Sequence, residues 1–349
     1  MNAYSRIGKA LRVSFLAAGM LAGAAVTGSQ AADYDQLTIY TGLPEAEVPT
    51  YLGAFERDTG IKINYVRLSA GEMLTRIQTE AANPNASVMH AVSSESFMQA
   101  SSEGLLEPYQ SPELANVADK YKDPKGVWNP YYMGALAIAI NRDWFERNKI
   151  EPPTSWKDLL DEKYKGQIAM AHPTTSGTSY SVVAMFVQMW GEDEAFKYLE
   201  KLNGNIRQYT KAGSAAPMQV ALGEAAIALT YAHDALKPAE EGYPVEVVFP
   251  TDGTGFEVGG IALIKGGFEK EQENARKFID WCLSVAGQEA LIESKSNRLP
   301  INSKAKATEG LKTIEQINVI DYDAVWAAEN RKRLTEKFLG LVDNATSLK

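Results

Sequence analysis

The segment His172-Pro173-Thr174-Thr175-Ser176-Gly177-Thr178 lies between an apolar run that ends at Ala171 and a helical pattern that opens near Ser179. A loop in that position offers hydroxyls and unpaired backbone N–H groups at a helix N-terminus, a combination that binds anions. Serine and threonine are also ordinary helix caps. Capping needs one side chain, however, and here polar residues stand on both sides of a glycine. A second candidate, Tyr231-Ala232-His233-Asp234, follows the run Ala226 to Thr230, at the carboxyl end of a predicted strand, where open α/β sheets gather ligands. Its plain alternative is again a helix cap. A third stretch, Gly253-Thr254-Gly255-Phe256-Glu257-Val258-Gly259, fails as a dinucleotide fingerprint, because its third glycine falls one position late and it leads into a strand rather than a helix. A glycine turn that carries Glu257 into a cleft fits it better; a solvated glutamate in a loop is the bland reading.

Other chemistries find less support. G-x-S-x-G, G-x-x-x-x-G-K-[ST] and H-E-x-x-H are all missing. His172 and Ser176 share one short loop with no identifiable orienting acid, which leaves a secreted phosphatase or hydrolase as a distant alternative. His90, His172, His233 and the single cysteine, Cys282, are too few for a structural zinc cluster, and one cysteine excludes a disulfide within the chain. No metal, cofactor or catalytic residue is expected. Tyr131-Tyr132 reads as an aromatic wall near a crossing strand, in packing contact rather than in a site.

These segments need a scaffold that brings them together. From Gln36 onward, short apolar runs alternate with amphipathic stretches: strands at Leu37 to Tyr40, Ile61 to Val66 and Val88 to Val92, with helices at Glu45 to Asp58 and Gly71 to Ala82. A second series runs from the strand Gln167 to Ala171 through to the strand Val245 to Phe249. Such alternation implies a mostly parallel sheet flanked by helices. Two similar apolar segments, Gly134 to Asn141 (GALAIAIN) and Val258 to Lys265 (VGGIALIK), bracket the second series. Read as strands that cross between lobes, they give a first lobe of residues 32–135 and 262–349 and a second lobe of residues 136–261.

The N-terminal 31 residues carry Arg6, Lys9 and Arg12, no acid, the apolar run Val13 to Val26, and small residues Ser29 and Ala31 at −3 and −1 of a cut after Ala31. This predicts a cleavable export signal over residues 1–31 and a periplasmic mature chain. The apolar run is short for a membrane span of roughly 20 residues. The whole chain has 349 residues and a net charge of −9, which becomes −12 without those three basic side chains. An acidic chain with no basic patch is a poor partner for nucleic acid, and its length suits two lobes rather than one core.

An export signal, two α/β lobes joined by crossing strands and an anion-ready loop together resemble a periplasmic solute-binding protein of an ABC importer. Leu37-Thr38-Ile39-Tyr40-Thr41-Gly42, Phe55-Glu56-Arg57-Asp58-Thr59-Gly60-Ile61 and Pro173-Thr174-Thr175-Ser176-Gly177-Thr178 are similar to the ferric-ion-binding branch of that family. The resemblance implies a two-lobed, type II-like fold, each lobe a mixed, mostly parallel sheet flanked by helices, with the ligand cleft at the hinge. That branch holds iron with adjacent tyrosines; here Tyr231 is followed by Ala232, and a hard ferric ion loses an anionic oxygen ligand. His233-Asp234 with Glu257 is instead similar to a sub-branch that binds hexose phosphates. The resemblance then implies that Thr175, Ser176, Gly177 and Thr178 take the phosphate, and that His233, Asp234 and Glu257, beside Tyr231, grip the sugar. Thr41, Ser93 and Ser94, at predicted strand ends of the first lobe, would complete the phosphate shell. The implied partner is an inner-membrane permease, the implied state a monomer. A ferric-ion-binding or phosphonate-binding protein of the same fold is the nearest alternative.

Overall fold

In the computed structural model, residues 34–347 are described, so the expected export signal lies outside the described residues. Among them, eleven strands form one mixed sheet: β1 (Gln36–Thr41), β2 (Lys62–Arg67), β3 (Val88–Ser93), β4 (Leu106–Glu107), β5 (Asn129–Asn141), β6 (Ile168–Ala171), β7 (Ile206–Thr210), β8 (Ile227–Tyr231), β9 (Val245–Val248), β10 (Phe256–Ile264) and β11 (Leu299–Pro300). The order is β2-β1-β3-β10-β5-β8-β6-β7, with β4 on β10 and with β9 and β11 on β5.

The flanks of this sheet are parallel: β1 pairs with β2 and β3, and β6 pairs with β7 and β8. Parallel neighbours need crossover connections, which the amphipathic helices supply. The centre is antiparallel. The first part of β5 pairs with β10 and β11, and from Leu136 onward it pairs with β8 and β9. One strand thus belongs to two halves of the sheet, whereas β10, expected to cross as well, pairs only with β3, β4 and the first part of β5.

Side-chain alternation explains how each half is covered. Along β5, Leu136, Ile138 and Ile140 join Ile227, Leu229 and Tyr231 of β8 in a core under the helix Gly177–Trp190. The opposite face carries Ala139, Ala169 and Ala228, small enough for the helices Ala215–Ala221 and Ala232–Glu240 to approach the sheet closely. In the first half, Leu37 and Ile39 face one core with Phe55 and Phe278, while Tyr40 and Met89 face the other with Met73 and Phe97. The long helix Ala324–Ser347 places Ala327, Leu334 and Phe338 in the core of the second half and also touches the helix Ser94–Ser102 of the first. No helix among the described residues is long and apolar enough to cross a membrane.

Candidate functional site

Parallel strands followed by helices leave their carboxyl ends and the helix N-termini on one side of the sheet. In this chain those ends converge on a single cavity at the centre of the molecule. Ser69, Ser93, Ser176 and Ser214 line it, and each is the residue immediately before a helix, at Ala70–Thr79, Ser94–Ser102, Gly177–Trp190 and Ala215–Ala221. The first-turn N–H groups of a helix have no partner inside it and carry the positive end of its dipole. Several such ends facing one space make it receptive to an anion. Arg67 adds a full charge. It lines the cavity at the end of β2, donating to Ser69 Oγ from Nη1 at 3.3 Å and to the Leu43 carbonyl from Nε at 3.3 Å.

The facing wall is acidic. His233 and Asp234 occupy the first turn of the helix Ala232–Glu240, and Glu257 reaches in from β10. Glu257 stands on a strand rather than in the turn expected of it, because the backbone is already paired with β5 from Phe256. His233 Nε2 lies 3.8 Å from Asp234 Oδ1 and 3.9 Å from Glu257 Oε1. The imidazole packs edge-on to Tyr132 at 5.9 Å and stacks on Tyr231 at 5.3 Å. That placement requires glycine at 134, since a Cβ there would sit 2.4 Å from His233 Nδ1. Behind the acids stands Arg298, buried, with Nη1 2.6 Å from Glu47 Oε2, Nη2 3.7 Å from Asp234 Oδ1, and its guanidinium 5.0 Å from the Tyr132 ring centroid.

Of the residues singled out from the sequence, Ser93, Ser176, Gly177, Thr178, Tyr231, His233, Asp234 and Glu257 share this cavity. Three do not line it. Thr41 Oγ1 lies 3.0 Å from His90 Nδ1 and accepts from the Leu43 amide at 3.2 Å. Thr175 Oγ1 donates to the Lys211 carbonyl at 2.8 Å. Ser94 begins the helix just behind Ser93 and is buried there. Sequence reasoning passed over Arg67, Ser69, Ser214 and Arg298, and Tyr132, read there as part of a packing wall, lines the cavity. His172 of the imagined hydrolytic pair turns Nδ1 to Thr174 Oγ1 at 2.7 Å.

Contacts also span the cavity. The Gly71 amide donates to the Thr175 carbonyl at 3.0 Å, and Lys211 Nζ pairs with Glu72 Oε1 at 2.5 Å. Deeper in, Glu95 Oε1 accepts from Ser181 Oγ at 3.2 Å and from Tyr322 Oη at 2.7 Å. The exposed Lys211–Glu72 pair contributes little; the buried contacts join the two halves directly.

Burial sets the protonation of the acidic wall. Loss of solvent pushes Glu257 up to about 8 and Glu47 up to about 7 from the ordinary 4.5, with Arg298 opposing the shift. It raises Asp234 too, holds His233 well below its ordinary 6.5 and pushes His90 down to about 3. A carboxyl whose value is raised by folding binds its proton more tightly in the native state, so stability is lost as pH rises toward the folded value. The histidines oppose this only below 6.5, where the unfolded imidazole takes up a proton. From pH about 6.5 to about 8 the carboxyls act without that opposition. The ligand-free protein should therefore lose stability across this interval, and Glu257→Gln should flatten the slope. Urea unfolding at the two ends checks this, and a flat or rising wild-type profile would contradict it.

The model of a family described as bacterial extracellular solute-binding protein matches residues 83–326. An uncharacterized protein of Haemophilus influenzae is 33% identical over 344 residues, 96% of this chain and 97% of its own length. The structure of the periplasmic binding protein AfuA from Actinobacillus pleuropneumoniae, with exogenous fructose-6-phosphate bound, is similar with a TM-score of 0.85 at 34% identity, covering 88% of this chain and 98% of that one. The Fe(3+)-binding periplasmic protein of Serratia marcescens is 25% identical over 339 residues, 93% of this chain and 95% of its own length.

Proposed function

The chain belongs to the bacterial extracellular solute-binding proteins, and from that premise we propose that it binds a hexose phosphate by cleft closure in the periplasm and delivers it to an inner-membrane ABC permease without catalysis. The observation that carries this reading is the polarity of the cavity: serine-headed helix N-termini and Arg67 on one side, His233, Asp234 and Glu257 on the other. A phosphoryl group accepts many hydrogen bonds and suits the first wall. Sugar hydroxyls donate, and carboxylates are the acceptors that reward them most. A ligand turned end for end would set phosphate against carboxylate. AfuA, whose structure holds fructose-6-phosphate, is a relative at 34% identity.

The ferric reading suits this cavity less well. Tyr231 is followed by Ala232, its phenol is raised well above 10 by burial, and Arg298 places a cation over Tyr132, the other phenol that lines the space. A trivalent cation there would meet a guanidinium rather than a second phenolate.

Titration calorimetry with glucose 6-phosphate, fructose 6-phosphate, glucose, inorganic phosphate, 2-aminoethylphosphonate and ferric citrate tests the proposal. A hexose phosphate should bind tighter than glucose or phosphate alone. Asp234→Ala should weaken it by roughly 10- to 150-fold, the worth of one charge-assisted hydrogen bond of about 1.5–3 kcal/mol. Tighter binding of the phosphonate, a coloured ferric complex, or steady release of phosphate from the ester would each overturn it.

A further inference from the structure

We infer that the sugar carries an ammonium group beside its hydroxyls, so that the ligand is a phosphorylated amino sugar. This rests on the hexose-phosphate reading and adds to it the charge of the end that faces Asp234 and Glu257. At that end stand three buried carboxyls, Glu47, Asp234 and Glu257, exposed by 1%, 9% and 4%, against one guanidinium, Arg298, exposed by 5%.

Arg298 is committed to Glu47, which it meets at 2.6 Å. Asp234 lies 3.7 Å from the other guanidinium nitrogen, beyond hydrogen-bonding distance, and its Oδ1 has no hydrogen-bond partner. Glu257 has His233 at 3.9 Å, and burial keeps that imidazole neutral. The second cation, Arg67, bonds Ser69 Oγ and the Leu43 carbonyl and acts on Asp234 only through space. Three carboxyls thus share two guanidiniums, and neither Asp234 nor Glu257 has a cation within hydrogen-bonding distance, an arrangement that a ligand can complete. A sugar hydroxyl supplies one donor and no charge. An ammonium supplies three donors and a positive charge, and it takes the place of the proton that burial keeps on Glu257 below pH about 8.

A separate observation points the same way. The cavity adjoins a groove that shares Pro44, Ser214 and Asp234 with it and is lined by Glu45, Glu224 and Glu241 against Lys237. A rim of that sign disfavours the approach of a simple dianion and favours a zwitterion that presents its ammonium.

Calorimetry of glucosamine 6-phosphate, glucose 6-phosphate and N-acetylglucosamine 6-phosphate at pH 6.5 tests the inference. The amino sugar should bind at least tenfold tighter than glucose 6-phosphate, and acetylation, which removes the charge, should abolish that preference. Glu257→Gln and, independently, Asp234→Asn should bring the ratio toward one; either variant suffices if the other does not fold. Equal or tighter binding of glucose 6-phosphate, or a preference that survives acetylation or both substitutions, overturns the inference and leaves the hexose-phosphate reading intact. No binding of these three sugar phosphates or of fructose 6-phosphate overturns the reading itself.

Discussion

Replacing Arg298 with Met should cost the protein about 3–5 kcal/mol of stability, the range expected when one partner of a buried ionic network is removed. Arg298 is the cation nearest to Glu47, at 2.6 Å, and it faces Asp234 at 3.7 Å. Without it, buried carboxyls must either stay charged in a poorly solvated site or take up protons, and both routes disfavour the folded state at neutral pH. The backbone supports this view of the segment. Lys295 and Asn297, neither of them glycine, hold left-handed φ angles of 54° and 55° in the loop that turns Arg298 inward, a conformation kept only where the surroundings enforce it. Because protonation relieves the unpaired acids, the deficit of the variant should shrink as pH falls, and Glu47→Gln in the same chain should restore part of it. Urea unfolding at pH 5 and pH 8 measures all three effects. A loss below about 1 kcal/mol would mean that the acids are neutral or solvated without Arg298.

The second large effect is on binding rather than stability. Gly71→Ala should reduce ligand affinity more than tenfold while leaving the ligand-free protein as stable as before, or more so. Gly71 lies in the first turn of the helix Ala70–Thr79, where alanine is ordinarily better by up to about 1 kcal/mol. Yet a Cβ there would come 2.2 Å from the Thr174 carbonyl oxygen and 3.0 Å from that of Thr175. Both are backbone atoms of the opposite half of the sheet and cannot swing aside. On the proposed cleft closure the halves part in the ligand-free protein, and the clash falls on the closed state alone. Calorimetry with a hexose phosphate, paired with a thermal melt of the free protein, separates the two effects. Undiminished affinity would show that binding does not require the Gly71–Thr175 approach.

Much of this scaffold was legible in the sequence because apolar periodicity reports burial directly. The runs GALAIAIN and VGGIALIK, at 134–141 and 258–265, stood out as two apolar strands, and they are β5, the strand shared by the halves, and β10, which pairs beside its first part. The helix Ser94–Ser102 was not read because SESFMQASS carries few apolar residues, and β7 was missed because IRQYT is largely polar. The direction in which the helix Ala324–Ser347 packs depends on the space left by the second half, not on its own residues.

The candidate site divides in the same way. Clustered polar residues such as Thr175 to Thr178 or His233-Asp234 announce themselves. A lone serine before a helix, as at Ser69 or Ser214, looks like any cap until four of them face one cavity. Arg298 stands in the polar run SKSNR, at residues 294–298, which reads as a surface loop; only the tertiary fold turns that side chain in among the acids. Thr41 and Thr175 failed to reach the cavity for a local reason, since each hydroxyl is held by neighbouring groups of its own half.

A crystal structure of the protein with glucose 6-phosphate tests the central claim most directly. The account predicts the phosphoryl group among Ser69, Ser93 and Ser176 within reach of Arg67, and the sugar ring against His233, Asp234 and Glu257. A phosphoryl group lodged against the two carboxyls, or a ligand bound outside the cavity, would contradict it.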